Sequence, residues 1–260
     1  MKIKISGRTD VGLERVNNED AFAFCPNLLK ANWGDAAHQD YVITDYLGAC
    51  AIVADGMGGA NAGNVASECA AKIIADYIVK SYSPKMNGTS VENLLRAAVD
   101  SANTEVFELS KSDSGYEGMG TTVVAVIVNE NLAHIVHVGD SRAYLCTADS
   151  LEQLTVDHSI VQNMINNGEI SEFEANNHPK KNIITRAIGA EPGVICDYNI
   201  AIKPENNSLI LCTDGLTNYV SRDEIYGIIK STPREEAANV LVDAANNSGG
   251  GDNITVVLIY

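Results

Sequence analysis

Short apolar runs rich in β-branched residues recur along the chain at Ile3–Ser6, Ala21–Cys25, Ala49–Ala54, Thr121–Val128, Leu132–Val138, Ala143–Cys146, Val194–Ile202, Ser208–Cys212 and Ile254–Tyr260. Runs of this length and composition predict strands. Asn129-Glu130-Asn131 joins two of them by a turn-length polar link, which predicts an antiparallel hairpin. Two longer stretches repeat apolar residues at helical spacing: Val65–Tyr82 puts Ala66, Cys69, Ala70, Ile73 and Tyr77 on one face, and Val91–Leu109 does the same with Leu94, Ala98, Ala102 and Val106. A third helix is expected to open at Thr232-Pro233-Arg234-Glu235, a capping-box spacing with proline at the first helical position. It closes in Asn246-Asn247-Ser248-Gly249, where left-handed conformations cost little.

The order is strands, two helices, strands, small helices, strands, helix, strand. A doubly wound parallel sheet would alternate strictly, so the pattern predicts an α+β layered domain in which antiparallel sheets are covered by helices. No solenoid repeat or low-complexity linker interrupts it. Two stretches read as additions: Asn27–Gly48, polar and irregular between two strands, and a segment over about Asp157–Asn182 with short helices broken at Asn-Asn-Gly and His-Pro.

Composition narrows the function classes. At 260 residues with 45% hydrophobic content, residues 1–260 can form one domain with a sizeable core. The 18 basic against 34 acidic side chains give a formal charge of −16, a poor surface for nucleic acid or for an anionic membrane, and one suited to a soluble monomer. Anionic substrates would also be repelled unless a bound cation inverts the local field. No apolar run approaches the roughly 18 residues of a membrane helix, and the start MKIKISGRTD lacks the apolar core of a signal peptide. Six cysteines without a C-x-x-C pair read as reduced thiols, most of them core filler, in a cytoplasmic protein.

One local pattern carries chemistry. The runs Cys50–Ala54 and Leu209–Thr213 pass into Asp55-Gly56 and Asp214-Gly215; Ile135–Gly139 ends in Asp140; Asp252 follows three glycines just before the last strand. Carboxylates at strand ends can meet where several strands finish, and then need protonation, distance or a cation. Oxygen donors suit Mg²⁺ or Mn²⁺, and no His/Cys set has zinc spacing. Taken singly, Asp-Gly after a strand is also an ordinary turn. The loop Asp55–Gly63 sits between a strand and a helix, but Asn61 stands where G-x-G-x-x-G needs glycine and no Walker lysine is present, so a nucleotide loop is set aside.

The motifs Arg15-Val16-Asn17-Asn18-Glu19-Asp20, Val53-Ala54-Asp55-Gly56-Met57-Gly58-Gly59, Gly118-Met119-Gly120-Thr121-Thr122, Val138-Gly139-Asp140-Ser141-Arg142, Thr213-Asp214-Gly215 and Gly251-Asp252-Asn253 occur in this order. Together they resemble the metal-dependent protein phosphatase (PPM, or protein phosphatase 2C) family in its bacterial form, over about Ile5 to Tyr260. Val156–Ser159 and Asn182–Gly189 resemble the same branch. The resemblance implies an α-β-β-α sandwich of two packed antiparallel sheets flanked by helices. It also implies hydrolysis of phosphoserine and phosphothreonine on proteins, Ser/Thr kinases and their substrates among them, by water activated at a dinuclear Mn²⁺ or Mg²⁺ centre. By carry-over, Asp55 bridges both ions, Gly56 offers its carbonyl, Asp214 and Asp252 complete the shell, and Asp140 with Asp214 binds a third, weaker ion. Glu19 and Asp20 orient metal-bound waters or ligate directly, and Arg15 grips the substrate phosphate.

Departures from the family pattern qualify this. Met57 stands where eukaryotic members often carry a histidine after Asp-Gly, so no general acid is assigned. His134 and His137 read as structural residues on one face of a strand, whereas His158, in the segment resembling the family's mobile flap (about 157–182), is expected near substrate. That flap contains a second capping box at Ser171–Glu174 and exits through Lys180-Lys181, a basic pair suited to phosphopeptides or simply to a solvated surface. The alternative function is a catalytically inactive relative that binds phosphoproteins as a scaffold; retention of every expected carboxylate weighs against it.

Overall fold

The computed structural model describes residues 3–31, 33–34, 41–42, 48–59, 62–202 and 206–260. Its strands sort into two sheets. One runs in the order β3 (Tyr41–Val42), β1 (Lys4–Asp10), β12 (Ile254–Ile259), β11 (Ser208–Cys212), β8 (Arg142–Cys146), β9 (Leu151–Gln153). The other runs β10 (Asp197–Ile202), β7 (Leu132–Val138), β6 (Val123–Asn129), β4 (Ala49–Met57), β2 (Asp20–Cys25), with β5 (Gly120–Thr121) paired to the end of β4. Neighbours are antiparallel throughout, including the expected β6–β7 hairpin.

Strand alternation makes three apolar layers. In β6, Val123, Ala125 and Ile127 face helices α1 (Ala62–Ser81) and α2 (Gly88–Ser112), while Val124, Val126 and Val128 enter the space between the sheets. In β11, Leu209 and Leu211 meet them there, and Ile210 and Cys212 turn to α6 (Arg222–Ser231) and α7 (Arg234–Asn247). Both faces of each central strand are therefore buried, which explains why these runs read as continuously apolar. The result is the expected α+β sandwich, helices outside and two antiparallel sheets within.

Several local expectations are corrected. The buried stripe of α1 is Ala66, Ala70, Ile74 and Ile78, with Cys69, Ile73 and Tyr77 only partly buried at its flank. No capping box forms at Thr232: its N–H donates to Ile228 O at 3.0 Å, ending α6, so α7 begins at Arg234 behind an extended Pro233. The box at Ser171–Glu174 does form and opens α4 (Glu172–Asn176). His134 and His137 lie on opposite faces of β7, because residues three apart on a strand have opposite parity. His134 bonds Tyr198 Oη at 2.7 Å beside α2, and His137 bonds Val156 O at 2.8 Å. Much of the proposed insertion Asn27–Gly48 lies outside the described residues; from within it, Gly34 forms an isolated bridge to Phe24 of β2.

The topology gathers polar residues at one end of the sandwich. Asp20 opens β2 and pairs in register with Asp55 near the end of β4. Asp140 follows β7, Asp214 follows β11 as the first residue of the one-turn α5 (Asp214–Thr217), and Asp252 precedes β12.

Candidate active site

The strand ends converge through a network of hydroxyls and amides. Oδ2 of Asp20 accepts hydrogen bonds from Thr213 Oγ1 at 2.9 Å and Thr255 Oγ1 at 2.7 Å, which tie the second sheet to the first. Its Oδ1 is buried with no hydrogen bond. Asp214 accepts from Asn218 Nδ2 at 2.9 Å on Oδ2, and its Oδ1 is likewise buried and unbonded. Asp55 is fixed by its backbone: its N–H donates to Thr122 Oγ1 at 3.0 Å, and its carbonyl accepts from Thr122 N at 2.8 Å and Thr121 Oγ1 at 2.8 Å.

Gly56 is required by close approach. Its N–H donates to Glu19 O at 3.1 Å, and a Cβ there would lie 2.6 Å from that same oxygen and closer still to Gly63 O. Asn253 knits the remaining loops, accepting from Glu19 N at 2.7 Å and donating to Val11 O and Asn17 O at 2.9 Å each. Arg15 makes a two-pronged pair with Asp252, Nε to Oδ1 at 3.0 Å and Nη2 to Oδ2 at 3.1 Å, with its side chain half exposed.

The electrostatics are those of crowded acids. Burial, then the charges of Asp20, Asp214, Asp140 and Asp252, push Asp55 well above the usual carboxylate range. Burial lifts Asp20 to about 7, against the two threonine hydrogen bonds that favour its ionised form. Burial and the charge of Asp214 lift Asp140 to about 7 as well. Burial and Asp252 raise Asp214, and burial raises Glu19, whose charge Arg15 partly offsets.

A hard divalent cation fits this arrangement on two counts. Carboxylates stand at five strand ends, and two buried carboxylate oxygens, Asp20 Oδ1 and Asp214 Oδ1, lack a hydrogen-bond donor when the acids around them are ionised. A second donor set lies elsewhere: His137, His158 and Asp197 bring one ligand atom each to within 4.8 Å of one another, a group able to coordinate a metal. There the Arg186 guanidinium already bonds Asp197 Oδ1 at 2.8 Å, and its Nη1 lies 3.0 Å from His158 Nε2. The two imidazoles are stacked with centroids 4.7 Å apart.

The sequence profile described as Protein phosphatase 2C matches residues 32–243. The chain belongs to the protein phosphatase 2C family. It is a metal-dependent serine/threonine protein phosphatase of the bacterial type. It is 43% identical over 209 residues to the serine/threonine phosphatase stp of Listeria monocytogenes, covering 80% of this chain and 82% of that protein. The Streptococcus agalactiae serine/threonine phosphatase structure superposes with a TM-score of 0.86 at 33% identity over 99% of both chains. The catalytic domain of the phosphatase PstP, solved in complex with two manganese ions, superposes with a TM-score of 0.80 at 29% identity, over 100% of this chain and 98% of that one.

In this phosphatase Glu19, Asp20, Asp55, Asp140, Asp214 and Asp252 stand near enough for their charges to act on one another's ionisation, with Gly56 against Glu19 and Arg15 on Asp252. His158 does not join them: it is 4% exposed, and its ring bonds inward to the Gly139 N–H. A cleft of about 690 Å³ runs from Asp140 and Asp214 between the flap, with α3 (Ile160–Asn166) and α4, and the α5–α6 segment; Lys181, Asn218 and Arg142 are on its walls. The sequence reading assigned no part to Thr213, Thr255, Asn218 and Asn253, which hold the carboxylates. Thr213 and Asn253 carry a signal in adjacency, since Thr213 precedes Asp214 and Asn253 follows Asp252, whereas Thr255 and Asn218 carry none.

Proposed function

We propose that this phosphatase hydrolyses phosphoserine and phosphothreonine on proteins, with Asp20, Asp55, Gly56, Asp214 and Asp252 forming the bed for two Mn²⁺ or Mg²⁺ ions and Asp140 with Asp214 that for a third. The observation that carries this reading is the pair of buried, unbonded oxygens, Asp20 Oδ1 and Asp214 Oδ1, in a cluster whose acids raise one another's pKa. Divalent ions there would neutralise the phosphoryl charge and lower the pKa of a coordinated water.

The chain's own residues do the positioning. Thr213 and Thr255 engage Oδ2 of Asp20 and leave Oδ1 for the centre. Glu19, its backbone pinned by Asn253, orients water beside Asp20. Arg15 exchanges Asp252 for the substrate phosphate, a bidentate partner of the same kind. The cleft beside the flap (about 157–182) receives the polypeptide around the phosphorylated residue. Residues 1–260 act as one catalytic domain. Among the described residues no helix is long and apolar enough to cross a membrane. Free thiols at Cys50, Cys69, Cys146, Cys196 and Cys212 suit a reducing compartment such as the cytoplasm, where phosphorylated kinases and their substrates are the partners.

The test is hydrolysis of a phosphothreonine peptide with Mn²⁺ and with EDTA. Turnover that requires the metal supports the proposal. A folded protein with no turnover under any divalent ion overturns it in favour of a phosphoprotein-binding scaffold.

A further inference from the structure

His158 joins three parts of the molecule at one residue. Its backbone N–H donates to Gly139 O at 2.9 Å, and its ring Nδ1 accepts from Gly139 N at 3.1 Å. These two bonds clamp the residue that immediately precedes Asp140. Its carbonyl accepts from Thr185 N at 2.7 Å, and the neighbouring Ser159–Ile184 bridge and Ile160 N to Ile183 O bond, 2.9 Å, close the base of the flap. Accepting at Nδ1 leaves the ring proton on Nε2, directed at Asp197 Oδ2 3.4 Å away. Stacking on His137 fixes the ring plane.

The clamped turn has little freedom of its own. Gly139 has φ of 101°, in the left-handed region, and a Cβ there would lie 2.5 Å from Thr122 Cγ2. The next hydroxyl, Ser141 Oγ, is tied to Thr122 Oγ1 at 2.7 Å. Asp140 is thus held between a glycine gripped by His158 and a serine gripped by Thr122, the residue that also fixes Asp55.

We infer that His158 is a positioning residue for Asp140: its Nδ1–Gly139 bond sets where the Asp140 carboxylate stands opposite Asp214, and its backbone makes that placement depend on closure of the flap base. The inference rests on the proposed function in one respect, that Asp140 and Asp214 together hold an ion. It places His158 behind the centre, and it accounts for a buried imidazole that the chemistry itself does not use.

Two substitutions separate the ring's acceptor from its bulk. In His158→Asn the side-chain oxygen falls where Nδ1 was, whereas in His158→Gln the amide reaches the Nε2 position and leaves Gly139 N–H without that acceptor. Calorimetric titration of the metal-free full chain with Mn²⁺ reads the ions directly, with a thermal melt of each variant as the folding control. His158→Gln is expected to weaken the weakest Mn²⁺ site about tenfold or more while the tighter sites are unchanged, the scale usual for groups that orient a ligand. His158→Asn is expected to keep the affinity within about twofold, since it restores the same bond. Asp140→Asn is the reference. If it leaves every Mn²⁺ site unchanged, the ion reading at Asp140 fails. If it abolishes the weak site but folded His158→Gln retains it, the positioning role is overturned. Should His158→Gln not fold, loss of the weak site in folded His158→Asn overturns it equally.

Discussion

Thr255 on the first sheet donates its hydroxyl to Oδ2 of Asp20 on the second at 2.7 Å. An ionised carboxylate only accepts, so Thr255 donates to it and in turn accepts from Thr9 Oγ1 at 2.8 Å, whose own oxygen accepts from Asn18 Nδ2 at 2.8 Å. Thr255→Val keeps the volume and removes the donor, so Mn²⁺ affinity and kcat should each fall about tenfold, with Thr255→Ser close to the parent. Mn²⁺ titration of peptide hydrolysis checks both.

The crowded acids set a pH dependence. Asp20 and Asp140 stand at about 7 in the folded metal-free chain, above the ordinary carboxylate value, because of burial and neighbouring charge. Between about pH 4 and 7 the folded state thus holds protons that the unfolded chain has released, and these groups withdraw stability as pH rises through that window. His158, lowered to about 4 by burial and by the neighbouring His137 and Arg186, acts oppositely and withdraws stability as pH falls from about 6.5 towards 4. Mn²⁺ must displace the carboxylate protons, so the Tm gained on adding Mn²⁺ should grow from pH 5 to pH 7.5. Scanning calorimetry with and without the ion at each pH isolates the carboxylates; a gain that is flat or shrinks would count against them.

The basic pair on the flap is divided by the structure. Lys181 lines the cleft beside Asp140 and Asp214, whereas Lys180 is exposed and is not part of the cleft wall. Lys181→Ala should raise KM for phosphopeptides with acidic flanking residues about two- to fivefold, the size of a screened charge contact, and Lys180→Ala should leave it unchanged. Equal effects would mean that the two act only through net charge.

Arg142 and Asp157 form a two-pronged ion pair in the cleft, with Nε at 2.9 Å from Oδ1 and Nη2 at 2.6 Å from Oδ2. Asp157 is nearly enclosed, while Arg142 keeps 28% of its side-chain exposure. Asp157→Ala should cost about 3 kcal/mol, the low end for breaking a buried pair, because water can still reach the guanidinium. Urea unfolding with an unchanged m value would read this as a loss of stability alone.

Hydrophobic patterning made the sandwich legible because its central strands are buried on both faces and appear as unbroken β-branched runs. Leu132–Val138 and Ser208–Cys212 match their strands end to end. The helix α6 is not among the expected elements although Ser221 and Glu224 form a full capping box, because it is short and buries only Ile225 and Ile229, too few positions for a helical period to stand out. Strand-end position also made the acids legible: Asp55, Asp140, Asp214 and Asp252 follow or precede apolar runs, and antiparallel pairing brings such ends together. Contacts between sheets were not legible. Nothing local says that Thr255 reaches Asp20, 235 positions away, or that a flap-base histidine turns inward to a glycine N–H.

Diffraction at the manganese absorption edge from crystals grown with Mn²⁺ tests the central claim most directly. The account predicts strong anomalous peaks among Asp20, Asp55, Asp214 and Asp252, with a weaker one beside Asp140, and Arg15 released from Asp252 when a phosphate analogue is bound. A peak found only among His137, His158 and Asp197, with the carboxylates empty, would contradict it.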